Sequence, residues 1–331
     1  VIGLMKIFDA HCDVLSKLLE NPELDFVHGS GLDVTLERML ASGIAVQNFA
    51  VYLPERYSGD FRYVLESIDL FHERILREPQ MRFIRTKTDL RLSSAENRIG
   101  ALLSLEGVDS LHGSLALLRI LHRLGLTSVG ITWNRANWAA DGVLEPRKGG
   151  FTAAGLELIR ECNRLGLIMD VSHLAEKGFW ELIEASRKPV IASHSNASAI
   201  SPRMRNLTDA QIRALIASDG VIGITFVPPF VSEEEPVAMD KILLHIEHIC
   251  ALGGKRHIGF GSDFDGIRQW LVGLEHAGKY DRLVNLLLSH YREEDVKSFV
   301  FGNWHRFYME HLPDEIPATV QDAEDGITLG S

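Results

Sequence analysis

The stretch Leu167-Ile-Met-Asp-Val-Ser-His173, followed by Leu174-Ala-Glu-Lys-Gly-Phe-Trp-Glu-Leu-Ile-Glu-Ala-Ser186 and then by Val190-Ile-Ala-Ser-His-Ser195, holds the fold in miniature. An apolar run of strand length leads into an imidazole. An amphipathic segment of helix length follows, and a second apolar run ends in another imidazole. Two buried runs joined by a helix-length crossover read as parallel strands. Outward from this unit the same alternation repeats. Apolar runs at 6–10, 45–52, 100–105, 128–132, 167–171, 190–193, 221–226 and 257–261 make eight predicted strands. Helix-like stretches lie at 35–41, 61–77, 113–124, 153–165, 175–186, 209–218 and 241–252. Thr208 with Gln211 has the form of a capping box, and Gly125, Gly166 and Gly253 sit where left-handed cap residues belong. Eight strands with crossover helices predict an α/β fold, a (β/α)8 TIM-type barrel with small extensions. Periodicity alone leaves an open doubly wound sheet as the alternative.

The chain of 331 residues fits one barrel domain over 1–312, followed by an acidic tail at 313–331 without a clear period. Hydrophobic residues make up 46% and charged residues 24%, the composition of a globular protein with a large core. A net charge of −11 repels phosphate backbones and excludes nucleic acid as the expected partner. Three cysteines, Cys12, Cys162 and Cys250, are too few and too scattered for a disulfide scaffold or a thiolate zinc site. Residues 1–8 turn polar too soon for a signal peptide, with Met5 a candidate natural start, and no apolar run reaches the roughly 18–20 residues of a membrane span. The expectation is a cytoplasmic protein without a membrane span.

Titratable residues gather at the ends of the predicted strands. The first strand leads into Asp9-Ala-His-Cys-Asp13, where His11 and Asp13, two apart, share a face and can reach one cation, while Cys12 points into packing. The third leads into Glu106-Gly107, a carboxylate that is costly to bury without a cation or donors. The fifth and sixth lead into His173 and His194, and the eighth into Gly261-Ser-Asp-Phe-Asp-Gly266 with Asp263. Each signal alone is weak, since a strand-end Glu commonly faces a solvated loop and a lone His is more often a hydrogen-bonded core residue. Placed together on the rim where barrel enzymes build their sites, three His and three carboxylates point to a metal centre. The count exceeds the three protein ligands of a usual catalytic zinc, so two ions sharing a bridging carboxylate fit better. His245-Ile-Glu-His248 matches no zinc motif and reads as helix surface or packing. His112, in the loop after Glu106, is a lesser candidate for the mouth. Trp138, Trp180, Trp270 and Trp304 read as core or rim packing.

Asp9-Ala-His-Cys-Asp13, Ser104-Leu-Glu-Gly107, Asp170-Val-Ser-His173, Ser193-His-Ser195, Arg205-Asn-Leu-Thr-Asp209 and Gly261-Ser-Asp-Phe-Asp-Gly266, in this order and spacing, resemble the membrane (renal) dipeptidase family of amidohydrolase-like barrels over most of the chain. The resemblance implies two Zn2+ ions per chain, one held by His11 and Asp13, the other by His173 and His194, with Glu106 bridging. It implies that Asp263 moves the proton and that Arg205 binds the C-terminal carboxylate of the substrate. It also implies a homodimer. The sequence departs from the family at Thr132-Trp133-Asn134, where members commonly carry Thr-His-Asn and the His helps bind and polarise the substrate. Trp133 offers one N–H donor and no acid. Asn134 or Asn137 is left to supply the missing hydrogen bond.

The function so implied is hydrolysis of dipeptides, L-D dipeptides included, by a water activated between two zinc ions. Two alternatives remain open on the sequence. One is a related binuclear-zinc amidohydrolase acting on another carboxylate-bearing amide or a lactam. The other, a barrel that binds a ligand without turning it over, would be expected to have lost metal ligands, and this chain keeps all of them.

Overall fold

Eight parallel strands carry residues 4–315, the part of the chain that this computed structural model describes. The expected acidic tail lies outside the described residues apart from 313–315. The strands are β1 (Ile7–Cys12), β2 (Ile44–Val51), β3 (Met81–Phe83), β4 (Ile99–Glu106), β5 (Ser128–Gly130), β6 (Ile168–Asp170), β7 (Ile222–Ile224) and β8 (Ile258–Phe260). Their order is β6-β5-β4-β2-β1-β8-β7. Residues 190–193, expected as a full strand, appear as two bridges, Asp170 to Ile191 and Ala192 to Ile222. Backbone hydrogen bonds from Val171 N to Ile191 O (2.8 Å) and from Gly223 N to Ala192 O (2.7 Å) complete the ladder. This short segment fills the gap between β6 and β7 and closes the ring, which rules out the open sheet.

β3 was not expected. It adds to the start of β4, from Met81↔Ile99 to Phe83↔Ala101, on the edge that β5 takes over from Ser104↔Ser128 onward. With three residues and an arginine at its centre, it has no apolar run to announce it. Helices Val14–Glu20, Lys87–Ala95, Tyr280–Leu288 and Asn303–His311 also go beyond the sequence reading. Their length does not set them apart, since expected helices such as Leu36–Ser42 and Asp209–Ala217 are as short. The seven expected helices are present, and the capping box of Thr208 and Gln211 forms. Gly166 closes Ala153–Leu165 in the left-handed region (φ 74°), which a side-chain-bearing residue would resist.

The N-terminal end of the barrel is stoppered by apolar packing. Phe8 stacks on Tyr308 and Trp304 of helix Asn303–His311, with centroids 5.2 and 6.0 Å apart. Trp304 donates to Phe260 O at 3.1 Å and lies so close to Gly259 that a Cβ there would sit 2.1 Å from the indole nitrogen. Apolar packing thus closes one end, and the titratable cluster lies at the other. No helix among the described residues is long and apolar enough to cross a membrane.

Between two barrel helices, Glu161 accepts from Arg164 (2.6 and 2.8 Å) and from Arg119 (2.9 Å). These partners, Arg164 first, hold its carboxyl at about 2, below the ordinary 4.5. A depressed carboxylate stabilises the fold above its unfolded-state pKa and loses that contribution as pH falls through the folded value. Glu161→Gln should therefore lower stability at pH 7 by about 1 kcal/mol, and the deficit should vanish between pH 4.5 and 2. Denaturant unfolding across that range is the check; a deficit independent of pH would show that the charge is not its source.

Candidate metal centre

All six strand-end residues singled out in the sequence as metal-site candidates arrive in one cluster, and Arg205, Trp133 and Asn134 border it. The cluster contains three overlapping groups of potential ligands: His11, Asp13 and Glu106; Glu106, His173 and His194; His11, His194 and Asp263. Glu106 belongs to two of them through different oxygens. Its Oε2 lies 3.6 Å from His11 Nε2, while its Oε1 lies 2.9 Å from His173 Nε2 and 3.4 Å from His194 Nε2. On the far side of His11, Asp13 Oδ2 is 3.4 Å and Asp263 Oδ1 3.7 Å from the same Nε2. Cys12 is buried in the core, as expected.

The imidazoles are aimed by their second nitrogens. His194 Nδ1 lies 2.7 Å from Ser193 Oγ, which donates in turn to the Asp170 carboxylate. Asp170 also accepts from the backbone of Ser172 and Ser193 at 2.9 and 3.0 Å. The hydroxyl proton is committed to Asp170, so His194 Nδ1 carries its own proton and turns a lone pair toward Glu106. His173 Nδ1 faces two groups, Asn134 Oδ1 at 2.7 Å and Arg205 Nε at 3.0 Å, and can serve one at a time. As an N–H it donates to Asn134 and leaves Nε2 free to coordinate. As a lone pair it accepts from Arg205, with the Nε2 proton directed at Glu106. Two residues of the site, His173 (φ 69°) and Asp263 (φ 64°), sit in the left-handed region, a conformation kept only where the surroundings impose it.

Burial sets the charges. It drives His173 and His194 well below the usual imidazole range, helped by the positive charges of Arg205 and His11. Burial would also lower His11, but the Glu106, Asp13 and Asp263 carboxylates outweigh it and raise it to about 10. Glu106 is pushed up to about 7 by burial, with the Asp263 charge adding to it. Asp13 and Asp263 are both raised by burial, Asp263 further by the charge of Asp13. His11 Nε2 and Asp13 Oδ1 are buried without any hydrogen-bond partner. The two ring nitrogens of His173 and His194 face each other at 2.9 Å. Orphaned acceptors and opposed lone pairs around a carboxylate are what divalent cations satisfy, so the residues present fit a metal.

The border residues are now placed. Arg205 is buried and donates to Ser195 Oγ (3.1 Å) and His194 O (2.9 Å), with Phe230 beneath its guanidinium at 5.7 Å. Trp133 is half-buried between Tyr52 (5.2 Å) and His173 (6.0 Å), and its indole N–H has no partner among the described residues. Asn137 is consumed within its own loop, bonding Ile131 O and the amides of Ala139 and Ala140. His112 bonds Gly59 O and does not join the cluster. Sequence reasoning gave no role to Ser193, Asp170 or Tyr52. The first two lie inside the quoted motifs, and the alternation of strand faces could have placed them.

Fold and site define a barrel with a candidate metal centre at its C-terminal mouth. The chain belongs to the membrane dipeptidase family, peptidase family M19, whose model matches residues 1–313. A dipeptidase of Aspergillus oryzae, aclJ, is 31% identical over 276 residues, covering 80% of this chain; the chain spans 65% of that relative's length. Among solved structures, the metallopeptidase called dipeptidase AC superposes with a TM-score of 0.86 at 30% identity, covering 95% of this chain and all of that one. A metallopeptidase of Rhodobacter sphaeroides, liganded with a phosphinate mimic of the dipeptide L-Ala-D-Ala, gives 0.85 at 29% identity, covering 94% of this chain and all of that one.

Gly266 leaves room for two of the carboxylates. A Cβ there would come within 2.2 Å of Asp13 Oδ2 and 2.7 Å of Asp263 Oδ1. Gly266→Ala is expected to displace both and weaken metal binding roughly 10- to 100-fold, the range for losing a ligand's support. Titration against a competing chelator, with the circular dichroism spectrum as the control for folding, decides it. A wild-type affinity would mean that Gly266 does not shape the centre.

Proposed function

We propose that the protein hydrolyses dipeptides, L-D dipeptides included, with two zinc ions per chain bridged by Glu106. The observation that carries the reading is the division of Glu106 between two ligand groups, one oxygen toward His173 and His194 and the other toward His11. Zinc in such a pair supplies Lewis-acid polarisation of a peptide carbonyl and acidifies a water. The chain's own residues do the rest. Asp13 and His11 form one ligand pair, His173 and His194 the other, each imidazole oriented from behind, His194 by Ser193 and Asp170, His173 by Asn134.

Asp263 is the carboxylate best placed to move a proton. Its side chain is 17% exposed, against 4% for Asp13 and 9% for Glu106, so it alone of the three reaches into the mouth. It takes the proton of the attacking water and delivers it to the leaving amine. Arg205 uses one N–H on Ser195 and one on His194 O, and its planar fork has further N–H groups for a carboxylate. A carboxylate held there places the scissile amide one residue away, which selects dipeptides over longer chains. Trp133 stands beside His173 with an unpaired N–H and makes this side of the mouth, with Tyr52, an aromatic wall. The wall favours an apolar substrate side chain. The unpaired guanidinium donors favour this reading over an amidohydrolase for substrates without a carboxylate.

Elemental analysis of protein purified without chelators should find close to two divalent ions per chain. A ratio that stays at one under zinc saturation would remove the bridging role from Glu106.

Arg205 is tested with L-L, L-D and D-D dipeptides in free and C-terminally amidated form. Wild-type protein should turn over the free acids far better. Arg205→Ala should lose about 2–3 kcal/mol of transition-state stabilisation, seen in kcat/KM, on the free acids only. Equal turnover of acid and amide by the wild type would take Arg205 out of substrate recognition.

A further inference from the structure

Arg205 is carried by a strap, residues 197–208, that has almost no regular structure of its own and leads into helix Asp209–Ala217. Its base is pinched where Ser198 N bonds Leu207 O (2.8 Å) and Leu207 N bonds Asn196 O (2.7 Å). Beyond that it leans on the turn at 227–231, with Asn206 Nδ2 donating to Phe230 O (2.8 Å) and Ser201 Oγ to Pro229 O (3.0 Å). Phe230, on that same turn, is the ring beneath Arg205. The guanidinium is therefore set by two backbone segments that must keep their relative position.

One side chain joins the two segments. His245, in helix Ile242–Ala251, is wholly buried. Its Nδ1 accepts from Ala197 N at 3.1 Å, which fixes Nε2 as the protonated nitrogen, and Nε2 lies 2.8 Å from Val231 O, to which it donates. Ala197 is the foot of the strap and Val231 the end of the turn. Three residues along the same helix, His248 Nε2 lies 2.7 Å from Asp209 Oδ1, on the residue that follows the strap. Both histidines of the His245-Ile-Glu-His248 piece thus work on the element that bears Arg205, and neither touches the metal ligands.

We propose that His245 is a positioning residue for Arg205. The neutral imidazole clamps the strap to the 227–231 turn, so that the guanidinium meets the substrate carboxylate already oriented. The clamp needs an acceptor and a donor on opposite sides of one small rigid ring, which a neutral imidazole supplies. Burial agrees with the neutral state, lowering the imidazole to about 4. The assignment rests on the reading of Arg205 as the carboxylate clamp, and it adds a residue outside the rim to substrate recognition.

The test compares wild type, His245→Phe and His245→Asn, all zinc-loaded. Amide hydrogen exchange over 195–208 is measured without substrate, and kcat and KM are measured for a dipeptide in free and amidated form. Phenylalanine keeps the bulk and removes both hydrogen bonds. Exchange over the strap should quicken, KM for the free acid should rise roughly tenfold, the effect of about 1.4 kcal/mol, and the preference for acid over amide should narrow, with metal content at the wild-type level. Asparagine returns the acceptor for Ala197 N but not the donor to Val231 O, and should recover part of the KM. Wild-type exchange and KM in His245→Phe would overturn the proposal, and so would a KM rise that asparagine does not recover, which would assign His245 to packing alone. If His245→Phe does not fold, His245→Asn and His245→Gln decide. The amide of Gln reaches the Nε2 position instead and returns only the donor to Val231 O, so the clamp requires quickened strap exchange and a KM above the wild-type value in both variants, and wild-type behaviour in both would overturn it. A wild type inert toward every dipeptide would sink the dipeptidase reading and not the clamp, which the exchange measurement then judges by itself.

Discussion

Three carboxylates and three imidazoles buried in one mouth have among them only the His11 charge for balance, and each charge left without a partner costs several kcal/mol. That cost organises the protein. It accounts for burial raising Glu106 to about 7 and for the orphaned His11 Nε2 and Asp13 Oδ1. It also requires rigid support, since flexible groups would rotate apart and solvate. Support comes from the layer behind the ligands. Asp170 and Ser193 stand behind His194, and Asn134 stands at His173. Asp9 accepts from Ser262 N (2.8 Å) and Oγ (2.6 Å), which locks the end of β8 onto β1 and brings Asp263 beside His11. Each of these side chains answers a backbone or ligand group, and together they convert an unfavourable burial into a preformed cation site.

The two ends of the barrel divide the work. At the N-terminal end Phe8, Trp304 and Tyr308 pack without regard to charge, and Gly259 is kept bare so that the indole can approach. At the C-terminal end His173 and Asp263 accept unfavourable backbone torsions, and Gly266 is kept bare for carboxylates. Torsional strain in the loops is tolerable because the surrounding packed structure over-determines them.

The sequence made the ring and its rim legible for a simple reason. Apolar runs such as 100–105 and 167–171 alternate with helix-length segments, and the polar residue ending each run falls on the rim wherever the run is parallel. What stayed hidden was short or indirect. β3, with Arg82 at its centre, borrows its order from β4. Residues 190–193 look like a strand and shrink to two bridges, because Ser193 and His194 turn their groups to Asp170 and the ligand cluster. His245 looked like helix packing, and it is buried as packing would be. Its bonds to Ala197 and Val231 are tertiary, 48 and 14 residues away, and no local pattern encodes them. Asn134, read as a candidate for the substrate, lies against a ring nitrogen of His173, a pairing that depends on how the loop after β5 folds back.

The lock between Asp9 and Ser262 spans 253 residues of chain. During synthesis His11 and Asp13 leave the ribosome first, Glu106, His173 and His194 follow, and Asp263 comes late. Until β8 docks against β1, Asp263 has no fixed place beside His11, and the ring has a free edge. A prematurely terminated chain therefore carries loose ligands without a cage, and the preformed site belongs only to a chain that has closed its ring. Completion of the ligand cluster waits on ring closure, which takes almost the entire polypeptide.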